Sequence, residues 1–255
     1  MKLIRIIPIL LTNKNFLLKG ENFVNHKYIG DVYNAVKIFS EKNAHELILL
    51  DIFAYKENRT IDLNLIKKIK KEIFMPLTVG GGFRKAEEVD AFINEGVEKI
   101  CLNSILKNEI GVIEKIANKF GSQSVVASVD VRKIDNEYRI FYENGTKQSE
   151  KNLNSYLKDL ENMGVGEIIL TSIDNEGTRE DYDLKLYQMV DKNINIPIIA
   201  NGGAKNIESY ENLFKNTNLS SCAAGANFVF FGERKAVLIN YPTSEQIENL
   251  FLKYE

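Results

Sequence analysis

Carboxylates that follow short apolar segments are the residues of this chain best placed to do acid–base chemistry. Asp51 and Asp130 end two such segments, and Asp174 and Glu176 lie in a loop beside Gly177. A carboxylate at a strand end can donate or accept a proton in a site that is open to substrate. Helix capping and binding of a substrate hydroxyl are the alternatives. They suit Asp174 and Glu176 better than Asp130, which lies within an apolar strand.

Two glycine runs form the second group of candidates. Gly80-Gly81-Gly82 and Gly202-Gly203 each follow an apolar segment and precede a helix-like one. Glycine lets backbone N–H groups approach an anion closely, and the start of a helix favours negative charge. Asn103-Ser104 offer side-chain donors to the same anion, whereas the symmetric residues, Ala224-Gly225, offer only backbone. Tight turns are the alternative. The symmetric pair favours two opposed anion sites, and a ligand bridging both would carry two phosphates.

Eight apolar runs alternate with amphipathic segments along the chain. Near-continuous apolar strands are typical of a parallel sheet covered by helices. We predict strands at Leu3–Leu11, Leu47–Phe53, Leu77–Val79, Lys99–Leu102, Ser124–Val129, Ile168–Ser172, Ile198–Ala200 and Cys222–Ala224. We predict helices at Asp31–Lys42, Asp62–Ile73, Lys85–Glu95, Glu109–Lys119, Leu153–Met163, Leu184–Asp191 and Ile207–Lys215. The polar segment Lys133–Ser149 predicts a small hairpin that turns at Glu143-Asn144-Gly145.

This alternation predicts an α/β fold, a single (β/α)8 TIM barrel over residues 1–255. An open doubly wound sheet is the alternative, and it fits less well because the glycine runs follow the third and seventh strands, not the first.

The two halves of the chain repeat one another. Glu46-Leu-Ile-Leu-Leu-Asp-Ile matches Glu167-Ile-Ile-Leu-Thr-Ser-Ile, 121 residues later. The same offset pairs Pro76 with Pro197, Gly81 with Gly202, Gly82 with Gly203 and Cys101 with Cys222. Several matches in one register indicate two (β/α)4 half-barrels, about 1–121 and 122–255.

The composition excludes several classes of function. The formal net charge of −2 gives no basic excess for nucleic-acid binding. Two cysteines, Cys101 and Cys222, cannot form a disulfide framework and indicate a reducing compartment. His26 and His45 are isolated and form no metal-ligand pattern, so we expect no metal and no cofactor. No apolar run approaches about 18 residues, so we expect no membrane span and a soluble, cytoplasmic protein.

Motifs along nearly the whole chain resemble the cyclase subunit of imidazole glycerol phosphate synthase. They are Arg5-Ile-Ile-Pro, Lys19-Gly20, Tyr28–Asp31, Glu46 to Ile52, Val79-Gly-Gly-Gly82, Lys99-Ile-Cys-Leu-Asn103, Phe120-Gly-Ser-Gln-Ser-Val-Val, Asp130, Gly166 to Asp174 and Gly177-Thr178. The resemblance implies a barrel of duplicated halves that binds a ribulosyl bis-phosphate and receives ammonia from a separate glutaminase. It implies ligand-binding roles for Lys19, Asp51, Gly81, Gly82, Asn103, Ser104, Asp174, Glu176, Gly177, Gly202, Gly203, Ala224 and Gly225.

The chain departs from the family's catalytic pattern at one decisive position. The resemblance implies two catalytic aspartates, at the ends of the first and fifth strands. The second is Asp130, but Leu11 occupies the place of the first. Leucine cannot transfer a proton, so cyclisation is expected to be severely impaired. Glu176, Asn201 and Gly225 also replace an aspartate and two serines of the family.

The opposite end of the predicted barrel keeps the family's charges. Four charged residues at strand starts match a ring that admits ammonia: Arg5, Glu46, Lys99 and Glu167. The alternative is ordinary ion pairing, which contributes little at a surface. The retained charges favour docking of a glutaminase at the amino-terminal face.

This combination resembles a divergent branch of the cyclase family associated with surface-polysaccharide or flagellar sugars. There, with a glutaminase and a sugar amidotransferase, the barrel is expected to supply ammonia for converting an acetamido to an acetamidino group. Two alternatives stay open. One is a histidine-pathway cyclase with a relocated base, and the other is a non-catalytic protein that retains only the binding of a phosphorylated ligand.

Overall fold

The computed structural model describes residues 4–232 and 234–252. Eight parallel strands close into a barrel in the order β1 (Arg5–Asn13), β4 (Leu47–Asp51), β5 (Leu77–Gly80), β6 (Lys99–Leu102), β7 (Val125–Ile134), β10 (Glu167–Ser172), β11 (Ile198–Asn201) and β12 (Ser221–Ala224). β12 pairs with β1, which closes the ring. The predicted (β/α)8 barrel is therefore confirmed, and the open sheet is excluded. Leu3, the predicted start of the first strand, lies outside the described residues.

Helices cover the outside of this barrel. They are α1 (Val32–Glu41), α2 (Leu63–Lys70), α3 (Asp90–Asn94), α4 (Val112–Phe120), α5 (Leu153–Asn162), α6 (Leu184–Val190), α7 (Ile207–Asn216), α8 (Ala226–Val229) and α9 (Ser244–Leu252). The predicted helix Lys85–Glu95 is wrong as one element, because a 3-10 turn at Ala86–Val89 precedes the short α3. Within the described part of the chain, no helix is long and apolar enough to cross a bilayer.

Asparagine and aspartate side chains define where several helices begin. The side chains of Asp31, Asp62, Asn152, Asp183 and Asn206 each accept a hydrogen bond from a backbone N–H two or three residues later. Such a cap satisfies one of the N–H groups that the first helical turn leaves without a partner. The helix starts are therefore specified locally, by the residue that follows each strand or loop.

Two antiparallel additions rise from the carboxyl ends of the barrel strands. β1 continues into β2 (Phe16–Glu21) and β3 (Val24–Asp31), and neither strand was predicted. β7 continues into β8 (Glu137–Tyr142) and β9 (Lys147–Asn152). The predicted turn at residues 143–145 joins β8 to β9, but a second turn at residues 135–136 makes the addition three-stranded. A small pair, β13 (Phe230–Phe231) and β14 (Ala236–Val237), follows α8.

The buried side chains divide into an outer core and an inner core. The outer core fills the space between strands and helices. The inner core lies inside the barrel, and its residues are Ile7, Ile9, Ile48, Cys101, Val126, Ile169, Ile199 and Ala223, with Leu50 packed against them. Alternating residues of each strand point to the two sides, as in any barrel whose interior is filled.

Strand register shows where the two halves match and where they shift. Gly80 pairs with Cys101, whereas Asn201, 121 residues after Gly80, pairs with Ala223. The segment from β11 to β12 is thus one residue longer than that from β5 to β6. The predicted equivalence of Cys101 and Cys222 is therefore wrong. Cys101 lies in the inner core and Cys222 in the outer core. The half-barrel boundary near residues 121 and 122 stays a prediction.

Candidate functional site

A cavity of about 560 Å³ opens at the carboxyl ends of the barrel strands. Its floor is the top of the inner core, at Ile9, Leu50 and Cys101. Eight predicted site positions line it: Leu11, Asp51, Gly81, Gly82, Asn103 and Ser104 from the first half, and Asp130 and Glu176 from the second. The remaining positions, Lys19, Asp174, Gly177, Gly202, Gly203, Ala224 and Gly225, are not part of its lining.

Asp130 is one of three buried acidic residues that line this cavity, with Asp51 and Glu176. Asn103 donates its side-chain amide to Asp130 Oδ2 at 2.9 Å and to the Ser128 carbonyl at 3.0 Å. Burial raises the pKa of the Asp130 carboxyl to about 7, against the hydrogen bonds from Asn103 and Thr171, which lower it. A group with this pKa exchanges a proton near neutral pH, as general acid–base chemistry requires.

Leu11 occupies the position in the first half that Asp130 occupies in the second. Leu11 pairs with Leu50 across β1 and β4, and Asp130 pairs with Thr171 across β7 and β10. Leu50 and Thr171 are separated by the repeat offset of 121 residues, so the two registers are equivalent. Both Leu11 and Asp130 line the cavity. One face of the cavity therefore carries an acid and the opposite face an alkyl group.

Asp51 forms most of its contacts with the loops around the cavity. Its carboxylate accepts backbone N–H groups of Lys14, Phe53 and Ala54 at 3.0–3.2 Å and a two-pronged contact from Arg59. These hydrogen bonds hold the carboxylate in place and fix the loop that follows β4. We assign it a positioning role.

The burial of Asp130 predicts an unusual dependence of stability on pH. The folded state holds a proton that the unfolded chain has released above its ordinary pKa of 3.8. The stabilisation from the protonated form is therefore complete at low pH and is lost as pH rises through about 7. Relative to wild type, Asp130→Asn should gain about 1–3 kcal/mol in the free energy of unfolding between pH 5 and pH 8. Urea unfolding at both values measures it.

The exposed Glu180 provides the control for that measurement. Glu180→Gln also removes one carboxylate, from the loop after β10, and should change stability equally at both pH values. A difference between Asp130→Asn and wild type that does not grow with pH would contradict the assigned protonation of Asp130.

The second half of the site is closed by an internal ion pair. Lys19, on β2, contacts Glu176, and their side chains are only 3% and 7% exposed. The Lys19 ammonium also lies against Gly225, where an added Cβ would be 2.8 Å from Nζ. Asp174 points elsewhere and accepts the Lys133 N–H at 2.8 Å, so it anchors the end of β7. Of the predicted second-half residues, Asp130 and Glu176 reach the cavity.

Register also corrects the predicted partners of Asn103 and Ser104. Asn103 precedes the 3-10 turn that follows β6, and Gly225 precedes α8 in the same way after β12. With the one-residue shift, the counterparts of Asn103 and Ser104 are Gly225 and Ala226, not Ala224 and Gly225. The side-chain amide that bonds Asp130 in one half has no equivalent in the other.

Arg84 is a cavity residue that sequence reasoning missed. Its guanidinium donates to the carbonyls of Gly82 and Tyr55 and to the Asn58 side chain, and it lies 4.7 Å over the Tyr55 ring. These partners are uncharged, so none of these contacts offsets the positive charge of Arg84 beside Gly82. The signal was present as a basic residue directly after the Gly80-Gly81-Gly82 run.

At the amino-terminal end of the barrel, the four predicted charged residues form a closed ring. Arg5 contacts Glu46 at 2.5 Å and Glu167 at 2.7 Å, and Lys99 contacts Glu167 at 3.0 Å and Glu46 at 3.5 Å. Although burial opposes the charged form, the hydrogen bonds of Arg5 hold the pKa of Glu46 below its usual value. We call Arg5, Glu46, Lys99 and Glu167 the charged ring.

The comparisons with known proteins agree with this architecture. A protein family described as histidine biosynthesis protein matches residues 5–234. A Pseudomonas aeruginosa protein with the provisional name imidazole glycerol phosphate synthase subunit hisF2 is 41% identical over 245 residues, which cover 96% of this chain and 98% of that protein. The chain belongs to the HisF family of imidazole glycerol phosphate synthase subunits.

Other HisF relatives extend the same match. A Leptospira borgpetersenii protein, also provisionally named as this HisF subunit, is 40% identical over 249 residues, or 97% of this chain and 98% of its own. The imidazole glycerol phosphate synthase subunit HisF of a Hydrogenobaculum species is 36% identical over 227 residues, or 89% and 90% of the two chains. The match is therefore to whole HisF subunits and not to a shared segment.

Proposed function

We propose that this HisF-family barrel receives ammonia from a glutaminase partner and passes it to a sugar-amidinating enzyme instead of using it for cyclisation. The observation that carries the proposal is Leu11, which stands at the cavity wall where the register of Asp130 calls for a second acid. A barrel that has lost one of two proton-transfer groups but kept the charged ring has the features of a conduit.

The interior of the barrel supports a path for neutral ammonia. Above the charged ring lies the apolar cluster of the inner core, and its upper residues form the floor of the cavity. Ammonia has no charge to desolvate, whereas ammonium or another ion would have to leave water at high cost. Small residues at Cys101 and Ala223 leave room for a molecule of this size to pass on side-chain motion.

The amino-terminal face supports docking of the glutaminase. A cavity of about 760 Å³ opens there beside the charged ring, lined also by Ile4, His45, Pro76, Glu98, Ser244, Ile247 and Glu248. Phe74, two residues before Pro76, is 97% exposed. Aromatic side chains of this kind are frequent anchors of protein interfaces. A partner seated on this face would deliver ammonia directly at the ring.

The choice of a sugar acceptor rests on the resemblance to the sugar-linked branch of the family. The numbered names hisF2 and hisF3 of two relatives fit additional copies with a separate task. Ammonia converts an acetamido into an acetamidino group by replacing the amide oxygen, which must first be activated, for example by a nucleoside triphosphate, and which leaves with the activating group. We therefore infer a sugar amidotransferase that carries out this activation as the third component. The alternative of a true cyclase requires a base in place of Leu11, and the cavity wall offers none at that register position. The protein would act in the cytoplasm, where free glutamine is available.

Deletion of the gene tests this function in the host organism. We expect the deletion strain to keep its wild-type growth without histidine and to lose acetamidino groups from its surface polysaccharide or flagellar sugars, as measured by NMR of the purified glycan. The complementing gene should restore them. A new histidine requirement would establish the cyclase alternative. Unchanged glycan and unchanged growth would favour the non-catalytic binding protein.

A further inference from the structure

The cavity is asymmetric in a way that bears on its ligand. On its first-half side, Gly81, Asn103 and Ser104 are partly exposed to the cavity. Arg84 adds a positive charge whose partners are uncharged. Glycine backbone, a hydroxyl and a guanidinium together suit a phosphate group. This side of the cavity is open to an oxyanion.

The corresponding residues of the second half are covered. Gly202, Gly225 and Ala226, the counterparts of Gly81, Asn103 and Ser104, are buried, and none of them lines the cavity. Lys19 fills the space over Gly225, and its charge is already matched by Glu176. A phosphate in this place would have to displace the lysine from its partner and would then lie beside a carboxylate. Two like charges at contact distance repel strongly in a site shielded from water.

Neighbouring contacts hold the covering strand in place. The backbone N–H of Asn22 donates to the Glu176 carbonyl at 2.8 Å, and its side chain donates to the carbonyls of Ile173 and Asp174 at 3.1 and 2.6 Å. Gly177 approaches the Gly20 carbonyl so closely that a Cβ would be 2.2 Å away. The β2–β3 hairpin is thus fitted to the loop after β10, and Lys19 is part of that fit.

Asn201 lines the cavity, and among the described residues its buried Oδ1 has no hydrogen-bond partner. We propose that the cavity binds a ligand with a single phosphate, held by the first half, whose other end is uncharged and donates hydrogen bonds to Glu176 and Asn201. The second anion position has become an internal structural contact. The ligand class is therefore a phosphate monoester with hydroxyl or amide groups, not a bis-phosphate. The inference rests on the proposed function only in treating this cavity as the ligand site.

Site-resolved NMR with inorganic phosphate tests the proposal on the intact chain. In wild type, the amide resonances of Gly82 and Ser104 should shift saturably, and those of Gly203 and Ala226 should respond with at least about tenfold weaker affinity. Glu176→Gln leaves Lys19 without its counter-charge, so the affinity of the second pair should rise at least about tenfold. Glu176→Asp keeps the charge and serves as the matched control. Ser104→Asp should weaken the first pair at least about tenfold.

The outcomes separate cleanly. Equal affinity of the two pairs in wild type, a response of the second pair alone, or no saturable response would each overturn the proposal. So would an unchanged second pair in Glu176→Gln. The measurement uses neither glutamine nor ammonia, so a negative result would not bear on the proposed transfer of ammonia. Conversely, evidence against ammonia transfer would not change the inference that the cavity binds a single phosphate group.

Discussion

With saturating free ammonia, the purified protein will turn over the ribulosyl bis-phosphate of the family at least about a hundredfold more slowly than a HisF subunit that carries aspartate at the Leu11 position. One of the two proton-transfer groups is absent, and each such group is worth about 10²–10⁴-fold in rate. The comparison should be made as kcat, because the covered second phosphate position is expected to raise KM separately. Chromatographic measurement of imidazole glycerol phosphate gives the rate directly.

Substitutions at Leu11 show whether the missing acid is the cause. Leu11→Asp should raise kcat at least about tenfold. Leu11→Asn should not, because asparagine has the shape of aspartate but cannot act as a base. Wild-type turnover close to that of an aspartate-containing relative would show that another group has taken over the proton transfer. The inference that this protein has lost cyclisation would then be wrong.

The barrel itself could be predicted from the sequence because its determinants are local. Runs such as Leu47–Phe53 are too apolar and too short for anything but buried strands, and caps such as Asp62 mark helix starts. The repeat of 121 residues then supplied the symmetry. The prediction failed for the register of β12. One extra residue between β11 and β12 moves Cys222 to the opposite side of the strand from the one that Cys101 occupies.

The β2–β3 hairpin could not be predicted, because β3 is largely polar with no buried residue and β2 offers only the short apolar segment Phe16-Leu17-Leu18. Its shape depends on tertiary contacts, among them Asn22 with the loop after β10. The cavity showed the same limit. Asp130 and the charged ring could be predicted to lie at opposite ends of the barrel strands, but the sequence could not show that Lys19 and Glu176 meet, since they lie 157 residues apart.

Arg84 and Asp174 show why residue type alone is a weak guide to a site. Asp174 stands in a motif shared with the family, yet its carboxylate holds the Lys133 backbone away from the cavity. Arg84 belongs to no motif that was recognised, yet it brings a positive charge to Gly82. The difference is one of side-chain direction, which only the folded loops determine.

The HisF-family barrel should form a one-to-one complex with the glutaminase of its own organism and stimulate glutamine hydrolysis on the order of tenfold or more, as coupling between two sites allows. Docking on the face beside the charged ring would give that coupling its structural route. Phe74→Ser should weaken the complex at least about tenfold, since an exposed aromatic anchor would be lost. The exposed Phe16, at the opposite end of the barrel, gives the matched control as Phe16→Ser.

Glutamine hydrolysis by that glutaminase, measured with and without the barrel, is the most direct test that this chain works as an ammonia-receiving subunit. We expect stimulation that saturates at one barrel per glutaminase, persists in Leu11→Asp and falls in Phe74→Ser. A glutaminase whose activity is the same with and without the barrel, and which forms no complex with it at micromolar concentrations, would contradict the account.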